Sequence, residues 1–515
     1  MTGVGDGEAD GPSGRAVESR VGLVRGTADV GPVAFARLLG LESLLLDRFA
    51  RAGYRPVRVP ILEGRELHER KSGARIVANL YQVAGEEICL RPEVTAGIVR
   101  AFNDAPVPPT LPWRVSYSGP VFRLLPTGPG VLREFHQVGV ERLDDPAGDG
   151  GGDAESIWLA DWSLGEAGVG DATVRVGHAG LIRELLRWSG LPIGVQVALV
   201  EVLGEAAQGP DDRAAGGRVL SAAEAHLEAL AAWLGNGPAD EPEGVSATLA
   251  PDDAGADRLF RTLYPEVVGR RSGRDVIGRI GRKWALGRGL SRVLAKVRGR
   301  IRELADLRGP APEVLDRLGR YEDVVPAMTA ELTGLVRSLI DHGLDPARVE
   351  LDLGFGRGIG YYSEMMFVLM AGTPAGPLEV CGGGRYDGLA RALGSAVEVG
   401  GVGFAFGLER LRDALEARGG DAPGAPRRDE TLLAASGPSG FALAARLRAR
   451  GLAVVVEEPG PSGDPGGADR ARARGFARLV RPRGDGFRSL DLETGVATDL
   501  ADADDLIRLL AGARP

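Results

Sequence analysis

An α+β fold is what the sequence predicts, and three observations carry that prediction. Apolar residues recur at helical spacing in PVAFARLLGLESLLLDRFARAGY, through Leu38, Leu41, Leu45 and Phe49, up to a stop at Gly53. Strand-like stretches turn straight back on one another, as YQVAGEEICLRPE does, and as VFR does into EFHQVGVERL. Such returns are the mark of an antiparallel sheet. Beyond residue 430 the chain alternates strand and helix through TLLAASG, AARLRARGLAVVVEE, ADRARARGFARLVRPRG and DLADADDLIRLL, a small α/β domain. At 515 residues the chain has room for two or three domains.

Taken in order, residues 1–20 read as a disordered polar tail and 21–415 as the core. Within the core, PVRVPIL alternates as a strand, and the YQVAGEEICL hairpin turns at Gly85. TAGIVRAFND follows as a helix with Thr95 in its first turn, and WRVSYSGPVFR and EFHQVGVERL are strands. A glycine–aspartate spacer, DDPAGDGGGDAES, breaks the pattern before a helix in WLADWSLGEAG. TVRVGHAGLIRELLRWSG reads as strand, turn and helix, with His178 in a turn or packing role in preference to a ligand contact. An insertion over about 190–310 is helical and low in complexity, and ends in a basic stretch through KWALGRGLSRVLAKVRGRIREL. That stretch reads as the solvated face of an amphipathic helix in preference to an RNA contact. VELDLGFGRGIGYYSEMMFVLM, LEVCGGGRYDGLARALG and GGVGFAFGLERLRDAL return to strands, with a glycine-lined turn and a closing helix. Residues 416–430 form a linker, and 431–515 the C-terminal domain.

Composition excludes several classes of function. A 44% hydrophobic and 26% charged chain is of soluble globular type, and a net charge of −9 gives no footing for broad nucleic-acid binding. Two cysteines, Cys89 and Cys381, make no disulfide framework and read as small buried hydrophobes, which suits a reducing, cytoplasmic setting. Five scattered histidines without a Cys-x-x-Cys predict no metal site. The first twenty residues lack the apolar core of a signal peptide, and no run of eighteen apolar residues offers a membrane span.

Polar groups collect beside glycine at several distant points. Glu93 follows LRP, Arg123 closes a strand, and Gln137 and Glu141 lie at i and i+4 of another. Period two puts those last two on one face, where Gly139 leaves room for a ligand. Arg357, Tyr361 and Tyr362 stand in GRGIGYY, and Arg410 follows GLE. Carboxylates suit an ammonium and arginines suit a carboxylate or phosphate, so the set fits a small zwitterion with a polar ring. GGGRY is a weak phosphate signal in a chain with 78 glycines.

VRGTADVGP, LRPEVTAG, SGPVFR with REFHQVGVE, RGIGYY, VCGGGRYDGL and GVGFAFGLERL stand in the order seen in histidyl-tRNA synthetases and their paralogues. The chain resembles that family over about 22–145 and 345–415, and more loosely between. The resemblance implies a class II aminoacyl-tRNA synthetase-like antiparallel sheet with flanking helices, a homodimeric core, and an anticodon-binding-like C-terminal domain. It also implies a histidine site on Glu93, Gln137, Glu141, Tyr361 and Tyr362, with Arg123 on the carboxylate side. No permanently bound cofactor is implied.

The family holds two functions. One is histidine–tRNA ligase, with ATP and Mg²⁺ as co-reactants and tRNA-His as partner. There Arg123, Phe135 and Arg410 would hold ATP, and Arg357 would be catalytic. The other is the regulatory subunit of ATP phosphoribosyltransferase, which works with a short-form catalytic subunit in the first step of histidine biosynthesis and its feedback control. The sequence departs from the ligases where ATP would sit. Two positions after Arg123, where they carry glutamate, stands Leu125, and the loop Pro126–Val131 has no charge. Removing one preorganised donor costs about 10²–10³ in rate, so two losses in one loop favour the non-ligating paralogue. Val94 and VGHAGLIRELL are also similar to the paralogue. Arg357, Arg410 and the C-terminal domain are ligase-like, although Gly360 replaces an expected aspartate.

Overall fold

The computed structural model describes residues 22–70, 79–126, 128, 131–145, 151–190, 290–354, 362–419, 430–435, 437–457 and 467–512. The tail at 1–20, most of the 190–310 insertion and most of the 416–430 linker lie outside them. Two compact units are present, Met1–Gly31 with Leu38–Pro423, and Pro32–Arg37 with Gly424–Pro515.

Helix α1 (Pro32–Arg51) has proline at its first position, where a missing N–H breaks no helical bond. Its buried stripe is Leu38, Leu41, Leu45 and Phe49, the period read from the sequence. Next come β1 (Arg55–Pro56), β2 (Leu62–Gly64), α2 (Arg65–Glu69), β3 (Tyr81–Gln82), β4 (Ile88–Leu90) and α3 (Thr95–Asn103). The long strands β5 (Trp113–Phe122) and β6 (Glu134–Asp144) lead to α4 (Gly151–Glu166), β7 (Thr173–His178) and α5 (Leu181–Trp188). The larger unit continues with α6 (Leu290–Ala305), β8 (Arg308–Pro310), α7 (Ala311–Leu318), α8 (Pro326–Asp341) and β9 (Val349–Asp352). It closes on β10 (Met365–Thr373), β11 (Gly376–Arg385), α9 (Leu389–Ala392), β12 (Gly400–Gly407) and α10 (Leu408–Ala417).

Nine of these strands form one sheet in the order β1-β5-β6-β12-β11-β10-β7-β9-β8. Its pairs are antiparallel except β1 with β5 and β7 with β9. Phe49 of α1, Ile157 and Leu164 of α4 and Leu411 of α10 share one apolar core with Val138, Phe404 and Phe406 of the sheet. Smaller clusters hold α3 through Val99 and Phe102 with Leu143 and Tyr386, and through Ile98 with Val115 and Tyr117. Strands β2, β4 and β3 make a separate small sheet, turned by Gly85 at φ 83°.

One expectation is modified and one is met. The spacer ends early, because α4 already starts at Gly151. The Asp153 carboxylate there is buried against the Arg385 guanidinium at 2.6 Å, a contact from across the sheet that glycine-rich local sequence does not reveal. The basic stretch is a helix over Leu290–Ala305 that buries Leu294, Val297, Ile301 and Leu304, with Lys296 over the Trp188 ring at 3.9 Å.

The smaller unit holds β13 (Thr431–Ala434), α11 (Gly437–Arg448), β14 (Val454–Glu457), α12 (Gly467–Ala473), β15 (Arg478–Arg483), β16 (Gly486–Asp491), β17 (Ala497–Leu500) and α13 (Ala503–Gly512). Its sheet runs β14-β13-β15-β16-β17, parallel around β13 and antiparallel beyond β15. Among the described residues no helix is long and apolar enough to cross a membrane.

Candidate functional site

A cavity of about 260 Å³ opens against β6, β11 and β12. Glu93, Arg123, Gln137, Glu141 and Tyr362 line it, together with Phe135 and Arg410. Arg357 and Tyr361 lie outside the described residues.

Glu141 is the deepest of these groups, 1% exposed. The Thr95 hydroxyl donates to its Oε1 at 2.6 Å, the Tyr386 hydroxyl to its Oε2 at 2.5 Å, and Tyr117 to Oε1 at 3.4 Å. Burial pushes the carboxyl up to about 8, although the Thr95 and Tyr386 hydroxyls work in the opposite direction. Gly403 packs so closely on this carboxylate that any Cβ would collide with it. Gly139 departs from its expected role. Its missing side chain leaves no room for a ligand, because a Cβ would lie 2.2 Å from the Phe404 carbonyl oxygen and 2.7 Å from the Tyr117 hydroxyl. Cross-strand register explains this, for Gly139 faces Tyr117 on β5 and Ala405 on β12.

Glu93 is 3% exposed and sits just before α3, where both its oxygens accept from the Ala96 N–H at 3.1 and 3.3 Å. A helix N-terminus favours a negative charge there. Arg91 fixes the preceding loop by donating to the backbone oxygens of Pro120 at 2.9 Å and Val59 at 3.0 Å. Gln137 presents a buried side-chain oxygen with no hydrogen-bond partner among the described residues. Arg123 donates to the Pro92 carbonyl at 2.9 Å, and its guanidinium lies 5.3 Å from the centre of the Phe135 ring. Leu125 and Leu132 form the neighbouring wall. Arg410 stands in the first turn of α10, beside Glu409, which accepts from the His136 N–H at 3.0 Å.

GGGRY is no phosphate loop. Gly382, Gly383 and Gly384 lie within β11, paired on both sides, and Arg385 is occupied by Asp153 and Asp387. His178 is buried, accepts from the Gly180 N–H at 3.1 Å and faces Glu331 at 3.0 Å, away from the cavity lining. Cys89 and Cys381 are buried, and Cys381 lies in the cavity wall.

Four contributors escaped the sequence reading. Thr95 and Tyr386 stood in motifs singled out above, but nothing local pointed them at Glu141. Arg91 carried no mark beyond its neighbour Glu93. His68, in LHE of α2, is fully buried with its Nδ1 3.7 Å from Glu93 Oε1 and had no signal at all.

An antiparallel sheet flanked by helices, with a polar cavity on its central strands, defines a class II aminoacyl-tRNA synthetase-like protein. The family model for histidyl-tRNA synthetase matches residues 26–245 and 285–411. The chain belongs to the histidyl-tRNA synthetase family. It is 30% identical to the ATP phosphoribosyltransferase regulatory subunit of Moorella thermoacetica, over 88% of this chain and 96% of that one. It is 28% identical to the histidine–tRNA ligase of Archaeoglobus fulgidus, over 85% of each. The solved histidyl-tRNA synthetase of Nostoc sp. PCC 7120 shares the fold at a TM-score of 0.61 and 16% identity, covering 96% of this chain and 100% of that one.

Proposed function

We propose that this chain is a histidine-binding regulatory subunit of ATP phosphoribosyltransferase that acts with a short-form catalytic subunit and carries out no aminoacylation. The observation that carries the reading is the make-up of one cavity lining. Glu93, Gln137 and Glu141 offer two carboxyl groups and an amide oxygen without a partner among the described residues, a set suited to an ammonium and a polar ring. Leu125 and Leu132 line the same cavity with Arg123, and a leucine side chain accepts no hydrogen bond from an adenine amine.

Histidine would bias the partner enzyme through its differential affinity for two quaternary states of the complex, the condition any feedback signal must meet. Arg123 faces the carboxylate side, and a homodimeric core in the cytoplasm completes the reading. The similarity to a relative named as such a subunit supports the assignment.

A second reading, an active histidine–tRNA ligase, draws support from Arg123, Phe135 and Arg410 lining the same cavity and from the similarity to a named ligase. Histidine-dependent exchange of pyrophosphate into ATP separates the two. Calorimetric binding of histidine without exchange is the expected result, together with histidine-sensitive activation of a short-form catalytic subunit. Robust exchange overturns the regulatory reading.

A further inference from the structure

Outside the cavity, the turn between β7 and α5 grips the chain just after Tyr362. The Arg183 guanidinium, in the first turn of α5, donates to the Ser363 carbonyl. The Ala179 N–H donates to the next carbonyl, that of Glu364, at 2.7 Å. The Ser363 N–H meanwhile donates to the Arg385 carbonyl at 2.8 Å, and the Ser363 hydroxyl accepts from the Asp387 N–H at 3.0 Å. Both peptide groups of Ser363 are therefore fixed, one from the end of β11 and one from α5.

Tyr362 lines the cavity with its ring laid against β11, where a Cβ on Gly384 would lie 2.8 Å from two of the ring carbons. The gripping turn is itself held. His178 accepts from the Gly180 N–H at 3.1 Å through Nδ1, and its Nε2 meets Glu331 of α8 at 3.0 Å. Gly180 leaves the space that the guanidinium uses, because a Cβ there would stand 3.0 Å from Arg183 Nη2 and 2.8 Å from His178 Cε1. A charged donor makes a stronger hydrogen bond than a neutral one, so Arg183 is a firm hold on a backbone oxygen. A binding site needs such support, since its lining must be held to within about 0.5 Å.

We propose that Arg183 is a positioning residue for the cavity: by holding the Ser363 carbonyl it keeps the Tyr362 ring against Gly384, in place for the ligand. The inference rests on the reading of the cavity as an amino-acid site. It makes the turn into α5 part of ligand recognition, although Arg183 does not line the cavity.

The test uses the full chain, with L-histidine as the probe in calorimetry at pH 7.5. Arg183→Met, which keeps the stem and removes the donor, is expected to weaken binding about tenfold. Arg183→Lys keeps one charged donor and should stay within about threefold of wild type. Tyr362→Ala is also expected to cost about tenfold, and the double variant decides how Arg183 acts. Removing the ring from Arg183→Met should add less than about threefold, because the placement of the ring is already lost. A merely structural arginine would lower the unfolding midpoint without this coupling. Losses that multiply to about a hundredfold, or wild-type affinity in Arg183→Met, overturn the inference alone. Gly180→Ala, whose methyl crowds the guanidinium, runs the same cycle with the same expected non-additivity should Arg183→Met not fold. Failure of the wild type to bind L-histidine overturns the reading of the cavity and this inference with it.

Discussion

Tyr386 donates its hydroxyl hydrogen to Glu141 Oε2 at 2.5 Å, joining two residues 245 positions apart in the chain. The bond ties the end of β11 to β6 through a carboxyl group buried in the cavity lining. Tyr386→Phe deletes this donor and keeps the ring. Loss of a hydrogen bond to a buried polar group should destabilise the fold by about 1–3 kcal/mol. Binding of L-histidine should weaken about tenfold as Glu141 loses its orientation. Urea denaturation and calorimetry measure the two effects separately.

Glu141 also sets a pH dependence whose sign can be worked out. Its folded pKa of about 8 lies above the unfolded glutamate value of about 4.3, so between those limits the folded state holds more protons. Its contribution to stability is therefore full below about pH 4.3 and is lost as pH rises through 8, with a slope of up to about 1.4 kcal/mol per pH unit. Glu141→Gln should remove that slope. Denaturation midpoints from pH 5 to 8.5 for wild type and variant check it, and parallel curves contradict it.

Gln137 carries a buried amide oxygen without a partner among the described residues, which suits a site that waits for a donor. Gln137→Met keeps the shape and removes that acceptor. Thermal stability should stay level or rise slightly, because an orphaned polar atom has gone. Affinity for L-histidine should fall by about tenfold or more. A fall in stability with affinity intact would show that Gln137 is structural.

Gly139 holds β5, β6 and β12 at their spacing. In Gly139→Ala the new methyl would meet the Phe404 carbonyl and the Tyr117 hydroxyl, one of them rigid backbone. Overpacking of this kind costs about 1–3 kcal/mol, so the midpoint of thermal unfolding should drop by several degrees. An unchanged midpoint would mean that the sheet can open at this point.

Much of the fold was legible because its signals are local. Helical period alone marks Leu38, Leu41, Leu45 and Phe49 as a buried stripe, and direct strand returns mark the antiparallel pairs. Period two likewise marks Gln137 and Glu141 as sharing a face, and both line the one cavity. The start of α4 was not legible, since Asp153 is drawn in by Arg385 from a strand more than two hundred residues away. The role of Gly139 was misread for the same reason: its neighbours Tyr117 and Phe404 lie on other strands.

By itself, then, the sequence determined the α+β class, the small C-terminal α/β region and, through six ordered motifs, a likeness to the histidyl-tRNA synthetases. It also determined that leucine stands two places after Arg123. Only the tertiary structure decided which hydroxyls surround Glu141, that Gly139 serves packing, and that a buried histidine, His68, lies 3.7 Å from Glu93. The reason is physical. Periodicity and turn chemistry are short-range properties of a chain, whereas burial, desolvation and hydrogen-bond partnership belong to the space that distant segments enclose together.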